Sequence, residues 1–267
     1  MSVTALHNGA VSLDHAALLG GWRNTDDSAG GVQRIVLTGS PDGLRLRAFG
    51  AGRPAPHDWG ETEACGYAPA PGRPAAWAFT ATYDNGARRA HVWGYLKSGL
   101  LVLTTYHAFP GAGWPVPYWT REFFHRDPDA PPPSPAVPHP PGRADRATAS
   151  LGPWQLDPRP LVGLWRNVDP AAARLSAVRI TDRAGYLVLR PHGVWTPRRH
   201  DWHQTVGCVF ADDIRTSVAG AFTAYFELAV GRVDMAGHLD RRLLTIETAS
   251  TVDGRTPYLV QEHFYPS

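Results

Sequence analysis

The tripeptide His-Asp-Trp occurs twice in the chain and brings an imidazole, a carboxylate and a large aromatic ring together. It occupies residues 57–59 and 200–202, and a threonine and a cysteine follow each copy at the same spacing. An aspartate beside a histidine can select one imidazole tautomer for base catalysis, although neighbouring strand residues point to opposite faces. Two interpretations stay open: His57 and Asp58 are catalytic, or Asp58 accepts backbone donors at a strand entry while Trp59 plugs the core.

The last strand expected in each half carries one glutamate in an aromatic and apolar row. Successive side chains of a strand point to opposite faces, so Tyr118, Glu122 and Phe124 share one face of the first such segment. Tyr258 and Glu262 share the corresponding face of the second. We expect this row to face the interior of a barrel.

A carboxylate in an apolar row is expensive to bury unless it is paired or protonated. Glu122 and Glu262 therefore have two interpretations. Each is an acid or base with a raised pKa that faces a ligand cavity, or each forms an ion pair with Arg23 or Arg166, since the last strand of a barrel pairs with its first.

Residues that occur in one half only are further candidates, because a single active site needs its chemistry in one copy. Tyr106 and His107 are the preferred acid/base pair among them, with a surface-facing histidine as the alternative. Trp114 lies in the Gly/Pro-rich stretch GAGWPVPYW and could line a barrel mouth, or pack between domains. The predicted catalytic residues are Glu122, His57, Asp58, Tyr106 and His107. The predicted substrate-binding residues are Trp59, Trp114, Tyr118, Trp202, His203, Tyr258 and Glu262.

Metal and cofactor sites are not expected from the residue spacing. His200 and His203 diverge on a strand and have no further ligand at a suitable spacing, so no metal site is predicted. Neither Cys65 nor Cys208 belongs to a Cys-x-x-Cys pair, and both are expected to be small buried hydrophobic residues. The usual phosphate-binding and nucleophile motifs are also missing, so no cofactor is predicted.

The candidate residues recur because the sequence matches itself at one constant offset, here called the repeat offset. At the repeat offset Gly20, Trp22, Asn24, His57, Cys65 and Phe79 fall on Gly163, Trp165, Asn167, His200, Cys208 and Phe222. The register slips slightly in one turn, after which Tyr118 and Glu122 fall on Tyr258 and Glu262. Such a match indicates tandem duplication of a unit of roughly 110 residues.

Both halves have the sequence pattern of β-structure. Short segments such as LRLRAFG and LLVLTTYHAF alternate with Gly, Pro, Asn or Asp turns, and the helical candidates SLDHAALLG and DPRPLVG are short. About seven or eight strands in so few residues favour a closed antiparallel barrel. Residues 127–153 are rich in proline and are predicted to be a linker between a first domain, 1–126, and a second, 154–267.

The motifs Gly20-Gly21-Trp22 and Gly163-Leu164-Trp165 each open a β-rich unit and resemble the Gly-x-Trp signature of lipocalin-like barrels. The longer pattern Gly-x-Trp-x-Asn-x-Asp, followed by Ala-Phe-Thr-Ala-x-Tyr, is similar to a small bacterial lipocalin-like (calycin-type) domain of mostly unassigned function. The resemblance covers both halves. It implies an all-β fold of two tandem lipocalin-like antiparallel β-barrels. Among the ten tryptophans, Trp22 and Trp165 are expected to plug the cores.

The composition limits the kinds of molecule that the chain is expected to bind. The net charge of +2 and the scattered charges exclude a basic stripe for nucleic acid, and no apolar run is long enough to span a bilayer as a helix. A small hydrophobic molecule is the expected partner, without nucleic acid or membrane, and a cytoplasmic location is expected. The two halves are expected to pack as an intramolecular pseudo-dimer.

The aromatic-rich barrels without cofactor motifs suggest three functions. The first is a cofactor-independent cyclase or isomerase that holds a polyketide- or terpenoid-like molecule in a barrel cavity, in bacterial specialised metabolism. The alternative is a non-catalytic binder or carrier of a small hydrophobic ligand. The third is an interaction module whose barrels are filled by their own side chains.

Overall fold

The computed structural model describes residues 13–40, 43–52, 56–110, 115–128, 156–171, 174–184, 186–193, 202–229, 231–252 and 255–267. This part of the chain is all-β, with sixteen strands and one short 3-10 turn, Arg159–Leu161. Within the described ranges, no helix combines the length and apolar character that crossing a membrane requires.

The first eight strands form a closed antiparallel barrel, here called the first ring. Each strand pairs with the next along the chain, and the eighth strand pairs with the first. The strands are β1 Gly20–Asn24, β2 Val32–Ser40, β3 Gly43–Gly50, β4 His57–Tyr67, β5 Ala78–Asp84, β6 Arg89–Lys97, β7 Leu100–Ala108 and β8 Tyr118–Arg126.

The last eight strands, here called the second ring, pair antiparallel in chain order, and the final strand also pairs with the first of this set. They are β9 Gly163–Asn167, β10 Leu175–Arg183, β11 Tyr186–Gly193, β12 Thr205–Ala211, β13 Ala219–Leu228, β14 Gly231–Asp240, β15 Leu243–Val252 and β16 Tyr258–Pro266. The predicted linker falls mainly outside the described residues and stays a prediction.

The two short helical candidates form single turns rather than helices of several turns. Asp14 forms a bridge with Ala75 and β1 begins at Gly20, which leaves space for a single turn in SLDHAALLG. In DPRPLVG, only Arg159–Leu161 is helical, as one 3-10 turn. These turns still have a role, because each places a carbonyl under a tryptophan.

Trp22 and Trp165 plug the cores of the two rings, as expected. They are 1% and 5% exposed. Trp22 donates its indole N–H to the Leu18 carbonyl at 3.0 Å, and Trp165 donates to the Leu161 carbonyl at 2.8 Å. A buried indole needs such an acceptor, so the turn before each Gly-x-Trp stabilises the tryptophan in the core of its ring.

The outer faces of the two rings contact each other through a hydrophobic cluster. It includes Tyr67, Tyr95 and Tyr106 from the first ring and Phe210 and Leu259 from the second. The rings of Tyr106 and Phe210 meet edge to face, with centroids 5.1 Å apart. Burial of this apolar area holds the rings together.

A buried polar network crosses the same contact. Arg121 donates to the Tyr95 hydroxyl at 2.8 Å and lies 3.3 Å from Nε2 of His238. Gln261 donates to the same hydroxyl at 3.0 Å and to Glu247 at 2.9 Å. Glu247 is 1% exposed, and burial raises its pKa to about 7. Its carboxyl therefore sits in the protein at a considerable desolvation penalty.

Candidate functional site

The face predicted for β8 is confirmed. Phe124 is fully buried in the core of the first ring, and the Tyr118 ring lies 4.5 Å from that of His107. Arg121, on the other face, contacts the polar network between the rings. Glu122 therefore points into the barrel, because it shares its face with Phe124.

A bulge in β4 decides where the first His-Asp-Trp points. Arg47 pairs with Glu61 but Phe49 pairs with Asp58, so two residues of β4 face one residue of β3. Asp58 accepts the Gly60 N–H at 2.9 Å and forms an outer ion pair with Arg47 at 2.5 Å.

The bulge turns Trp59 against the core of the first ring, and His57 and Asp58 are exposed. Asp58 thus takes the structural role that was one of its two interpretations. The structure does not join it to His57 as a catalytic pair, because its carboxylate is held by Arg47 and by the backbone of the bulge.

We expect Gly60→Ala to lower the free energy of unfolding by about 1–2 kcal/mol. Gly60 has φ of +81°, where a Cβ clashes with the backbone. Urea unfolding measures the change. Gly30→Ala is the matched control, since a Cβ there meets nothing within 4 Å, and should be nearly neutral. Equal losses in the two variants would contradict a strained bulge.

Six inward residues at this end of the barrel form what we call the first cluster: Trp59, Tyr83, Arg88, His107, Tyr118 and Glu122. The guanidinium of Arg88 lies 4.4 Å from the centre of the Trp59 ring. Trp59 also meets Tyr83 edge to face, with centroids 5.5 Å apart. Tyr83 donates to the Leu46 carbonyl at 2.9 Å and so supports β3 opposite the bulge.

His107 is held in one tautomer by Arg88. Nη2 of Arg88 lies 2.9 Å from Nδ1 of His107, and a guanidinium can only donate, so the ring proton is on Nε2. Burial and the charge of Arg88 lower the pKa of His107 to about 3. His107 is therefore neutral at physiological pH and offers a hydrogen-bond donor rather than a base.

Tyr106 does not share this site. It is buried between the rings against Phe210, whereas His107 faces the barrel interior. The expected acid/base pair of Tyr106 and His107 is wrong, because adjacent residues of a strand point to opposite faces. A surface-facing His107 is wrong as well, since its side chain is 2% exposed.

Glu122 is anchored by an asparagine rather than an arginine. Oε1 accepts from Nδ2 of Asn24 at 3.1 Å, and Oε2 accepts from the Val32 N–H at 3.3 Å. The expected ion pair with Arg23 is wrong: Arg23 contacts Asp127 at 3.4 Å. Asn24 faces the interior, so the residue before it must point outward.

The carboxyl of Glu122 is suited to proton exchange near neutral pH. Burial raises its pKa to about 7, because the hydrogen bonds from Val32 and Asn24 only partly offset desolvation. Tyr118 is close enough for the charge of Glu122 to raise its pKa, in addition to the larger effect of burial. Glu122 can therefore be either protonated or ionised beside a hydroxyl.

Glu262 repeats this anchoring in the second ring. Oε1 accepts from Asn167 at 3.0 Å and from the Leu175 N–H at 3.4 Å, and burial raises the pKa of the carboxyl. Arg166 donates to Ser267 at 3.1 Å, so the expected ion pair with Glu262 is wrong here too. In both rings the Asn–Glu bond ties the last strand to the first.

The second ring has its own inward group, called the second cluster: Arg174, Trp202, Phe226, Ser250, Tyr258 and Glu262. The guanidinium of Arg174 lies 5.2 Å from the Trp202 ring centre and 4.9 Å from that of Tyr258. It also donates to the Ser250 hydroxyl. Trp202 is 6% exposed and packs edge to face on Phe226, with centroids 5.6 Å apart.

Several predicted residues lie elsewhere. Trp114 and His200 are outside the described residues. His203 is exposed, has φ of +57°, and its ring centroid lies 6.1 Å from that of Phe226. Cys65 is exposed, contrary to expectation, because the adjacent Ala64 faces the core of the first ring. Cys208 is half-buried. In the part of the chain that the structure describes, no three metal-ligating side chains converge.

Sequence reasoning missed Arg88 and Arg174. At the repeat offset Arg88 falls on Gly231, and Arg174 falls on Gly31. An arginine in one half opposite a glycine in the other was a signal that could have drawn attention to both positions. It became meaningful only once the strands placed each guanidinium over a tryptophan.

Two surface depressions lie outside the ring interiors. One, of about 870 Å³, lies outside β2 and β3 and is lined by Arg34, Phe49 and Asp58 together with residues of the β1–β2 and β3–β4 loops. The other, of about 600 Å³, lies between the rings and is lined by residues such as Cys65, Tyr67 and Tyr225. They are alternative ligand sites that experiments must separate from the clusters.

Comparisons with known proteins do not assign the chain to a family. No protein-family model matches the chain, and no curated protein sequence matches it. Among solved structures, the chain is similar to a crystal structure described as a "putative outer membrane protein" from Bacteroides fragilis NCTC 9343. The TM-score is 0.27 and the identity 8%, with 95% of this chain and 100% of that chain covered. A TM-score this low carries no argument about the present chain.

Proposed function

We propose that the chain binds a small, largely hydrophobic molecule at the first cluster. The observation that carries this proposal is a half-buried group of aromatic rings, with polar groups of fixed orientation, inside a closed barrel. A ring interior filled only for stability would be expected to be apolar, as in the buried cluster of Phe79, Leu103 and Phe124. Binding sites combine apolar walls with a few oriented polar groups in this way.

The polar groups would orient the ligand. His107 offers its Nε2–H and Tyr118 its hydroxyl, while Trp59 supplies a flat apolar wall. These side chains are held by strand positions and by the bulge, so little side-chain entropy would be lost on binding.

A neutral hydrophobic fluorophore, N-phenyl-1-naphthylamine, tests the proposal on the full chain. We expect saturable binding that Trp59→Ala or Tyr118→Ala weakens about tenfold or more. Phe49→Ala is the matched control, because Phe49 lies on the outer depression. Circular dichroism of each variant shows whether it folds.

The control also distinguishes the two sites. Loss of binding in Phe49→Ala with no change in Trp59→Ala and Tyr118→Ala would place the ligand on the outer face and overturn the proposal. Failure of the folded wild-type chain to bind the fluorophore would favour the third function, an interaction module with filled barrels.

A second candidate function is the cofactor-independent cyclase or isomerase, in which the same site performs proton transfer. The raised pKa of Glu122, about 7, favours it, since an acid or base is most effective near the working pH. Glu122 would exchange the proton, with Tyr118 and His107 placing the reacting group. The substrate would be a polyketide- or terpenoid-like molecule of bacterial specialised metabolism.

Glu122→Gln and Glu262→Gln form a matched pair for this candidate. A molecule that co-purifies from the native host is extracted, incubated with fresh protein and analysed for an isomer by chromatography. We expect conversion to disappear in Glu122→Gln, to persist in Glu262→Gln, and to change with pH around 7 in the wild type. A ligand returned unchanged by the wild-type protein would leave binding as the function.

We also infer that the two rings are lipocalin-like barrels that arose by tandem duplication and pack as a pseudo-dimer. The repeat offset in the sequence and the repeated Asn–Glu and tryptophan anchors support this. So do two reciprocal bridges: Ala68 pairs with Tyr258, and Ala211 pairs with Tyr118. Such an exchange is typical of a two-fold interface. The cytoplasmic location stays a prediction.

A further inference from the structure

Both rings hold a guanidinium over the tryptophan of their inward cluster. Arg88 stacks on Trp59 at 4.4 Å, and Arg174 stacks on Trp202 at 5.2 Å. Each also donates to the side chain that β7 or β15 places next to it, His107 in the first ring and Ser250 in the second. His107 itself falls on Ser250 at the repeat offset, so the two guanidinium groups occupy corresponding places.

The two arginines reach these places from different walls of their rings. Arg88 immediately precedes β6, whereas Arg174 immediately precedes β10, the second strand of its ring. At the repeat offset each falls on a glycine, Gly231 or Gly31. The guanidinium is therefore not inherited from a shared strand position. Two different positions supply the same charge in the same place.

Neither guanidinium is fully satisfied. Nε of Arg88 and Nε of Arg174 are buried and have no hydrogen-bond partner among the described residues. Within those residues, neither arginine forms an ion pair with an aspartate or glutamate at 4.0 Å or less. Burial lowers the pKa of both. A partly desolvated cation of this kind is stabilised by an anion that enters beside it.

The surroundings favour a carboxylate over a phosphate. Each cluster has one guanidinium, which can pair with the two oxygens of a carboxylate and balances a single negative charge. Glu122 shares its strand face with Tyr118, and Glu262 shares its face with Tyr258, so a glutamate lies near each site. A dianion would be repelled more strongly than a monoanion. The aromatic walls favour a flat apolar body.

We propose that each ring binds one small carboxylic acid, with its carboxylate on Arg88 in the first ring and on Arg174 in the second. The hydrophobic body of the acid lies against Trp59 and Tyr118 or against Trp202 and Tyr258. For the first ring this rests on the proposed function, whose ligand class it specifies. For the second ring it assigns a separate site.

Calorimetric titration of the full chain with 2-naphthoate tests the proposal, with 2-naphthamide as the neutral analogue. We expect two naphthoate sites per chain and about tenfold or more weaker binding of the amide. Arg88→Met and Arg174→Met should each leave one site, and the double variant none. Arg88→Lys and Arg174→Lys should bind with intermediate affinity, because lysine keeps the charge but loses the planar fork.

Arg34→Met is the matched control, since it removes a guanidinium stacked on an aromatic ring of the outer face, 4.3 Å from Phe49. It should keep both sites. Equal affinity for naphthoate and naphthamide in the wild type would overturn the proposal, as would loss of binding in Arg34→Met alone. One site that only Arg88→Met removes would overturn it for the second ring.

The neutral fluorophore separates this inference from the proposed function. If the wild type binds N-phenyl-1-naphthylamine at Trp59 but not naphthoate, the carboxylate assignment fails and the hydrophobic site stands. If it binds neither probe, both fail. Circular dichroism and thermal unfolding of the arginine variants show whether a lost site reflects a lost fold, and the lysine variants provide a second test at each position.

Discussion

Replacing Phe79 with alanine is expected to lower the free energy of unfolding by about 3–5 kcal/mol. Phe79 is fully buried in the first ring and lies across from Gly94 in the register of β5 and β6. Its ring covers the glycine: a Cβ on Gly94 would lie 2.5 Å from Cζ of Phe79. Removing the phenyl group uncovers the space above Gly94 and leaves a cavity in the core. Urea unfolding at constant pH measures the loss.

The control and a double-mutant cycle test the reason for this loss. Phe49→Ala on the outer face should cost about 1 kcal/mol or less. Gly94→Ala should destabilise by about 1–3 kcal/mol in the wild type, but much less when Phe79 is already alanine, because the added methyl then fills the hollow. If the free-energy changes of the two substitutions were additive, Phe79 and Gly94 would not be coupled.

The same arrangement occurs at Phe222 and Gly237 of the second ring. These residues are also cross-strand partners, and a Cβ on Gly237 would lie 2.5 Å from Cε1 of Phe222. In both barrels, therefore, a phenylalanine side chain fills the space that a cross-strand glycine leaves in the core.

Replacing Glu247 with glutamine should raise the free energy of unfolding at pH 8 by about 3 kcal/mol. Burial raises the pKa of Glu247 from 4.5 to about 7. Between these values the unfolded chain releases the proton and the folded chain keeps it, so stability falls as the pH rises. The loss of stability caused by Glu247 is absent below pH 4.5 and complete above about pH 7.

Glutamine has no such proton to lose and can still accept from Gln261. The two proteins should therefore have similar stability near pH 4 and diverge as the pH rises. Thermal and urea unfolding across this range measure the difference. Glu63→Gln, which removes an exposed carboxylate, is the control and should show no divergence. Parallel curves for the wild type and Glu247→Gln would contradict the assigned burial effect.

Strand type and strand faces follow from the sequence, because they depend on a local period of two residues. Glu122 and Phe124 face inward as predicted. Tyr118 lies against His107 on the same face and also packs against the core of the second ring. Trp22 and Trp165 plug the cores. These positions are decided by neighbours along the chain and by the need to bury apolar side chains.

Only the tertiary structure decided what those inward groups meet. Counting back from the inward-facing Ala64, simple alternation would place Asp58 inside and Trp59 outside. One extra residue in β4 reverses this and turns Trp59 inward. Arg88 and Arg174 reach their tryptophans across strands that are distant in the chain. Partners such as these depend on register and closure, which are set by long-range pairing, so composition and spacing could name the candidate residues but not bring them together.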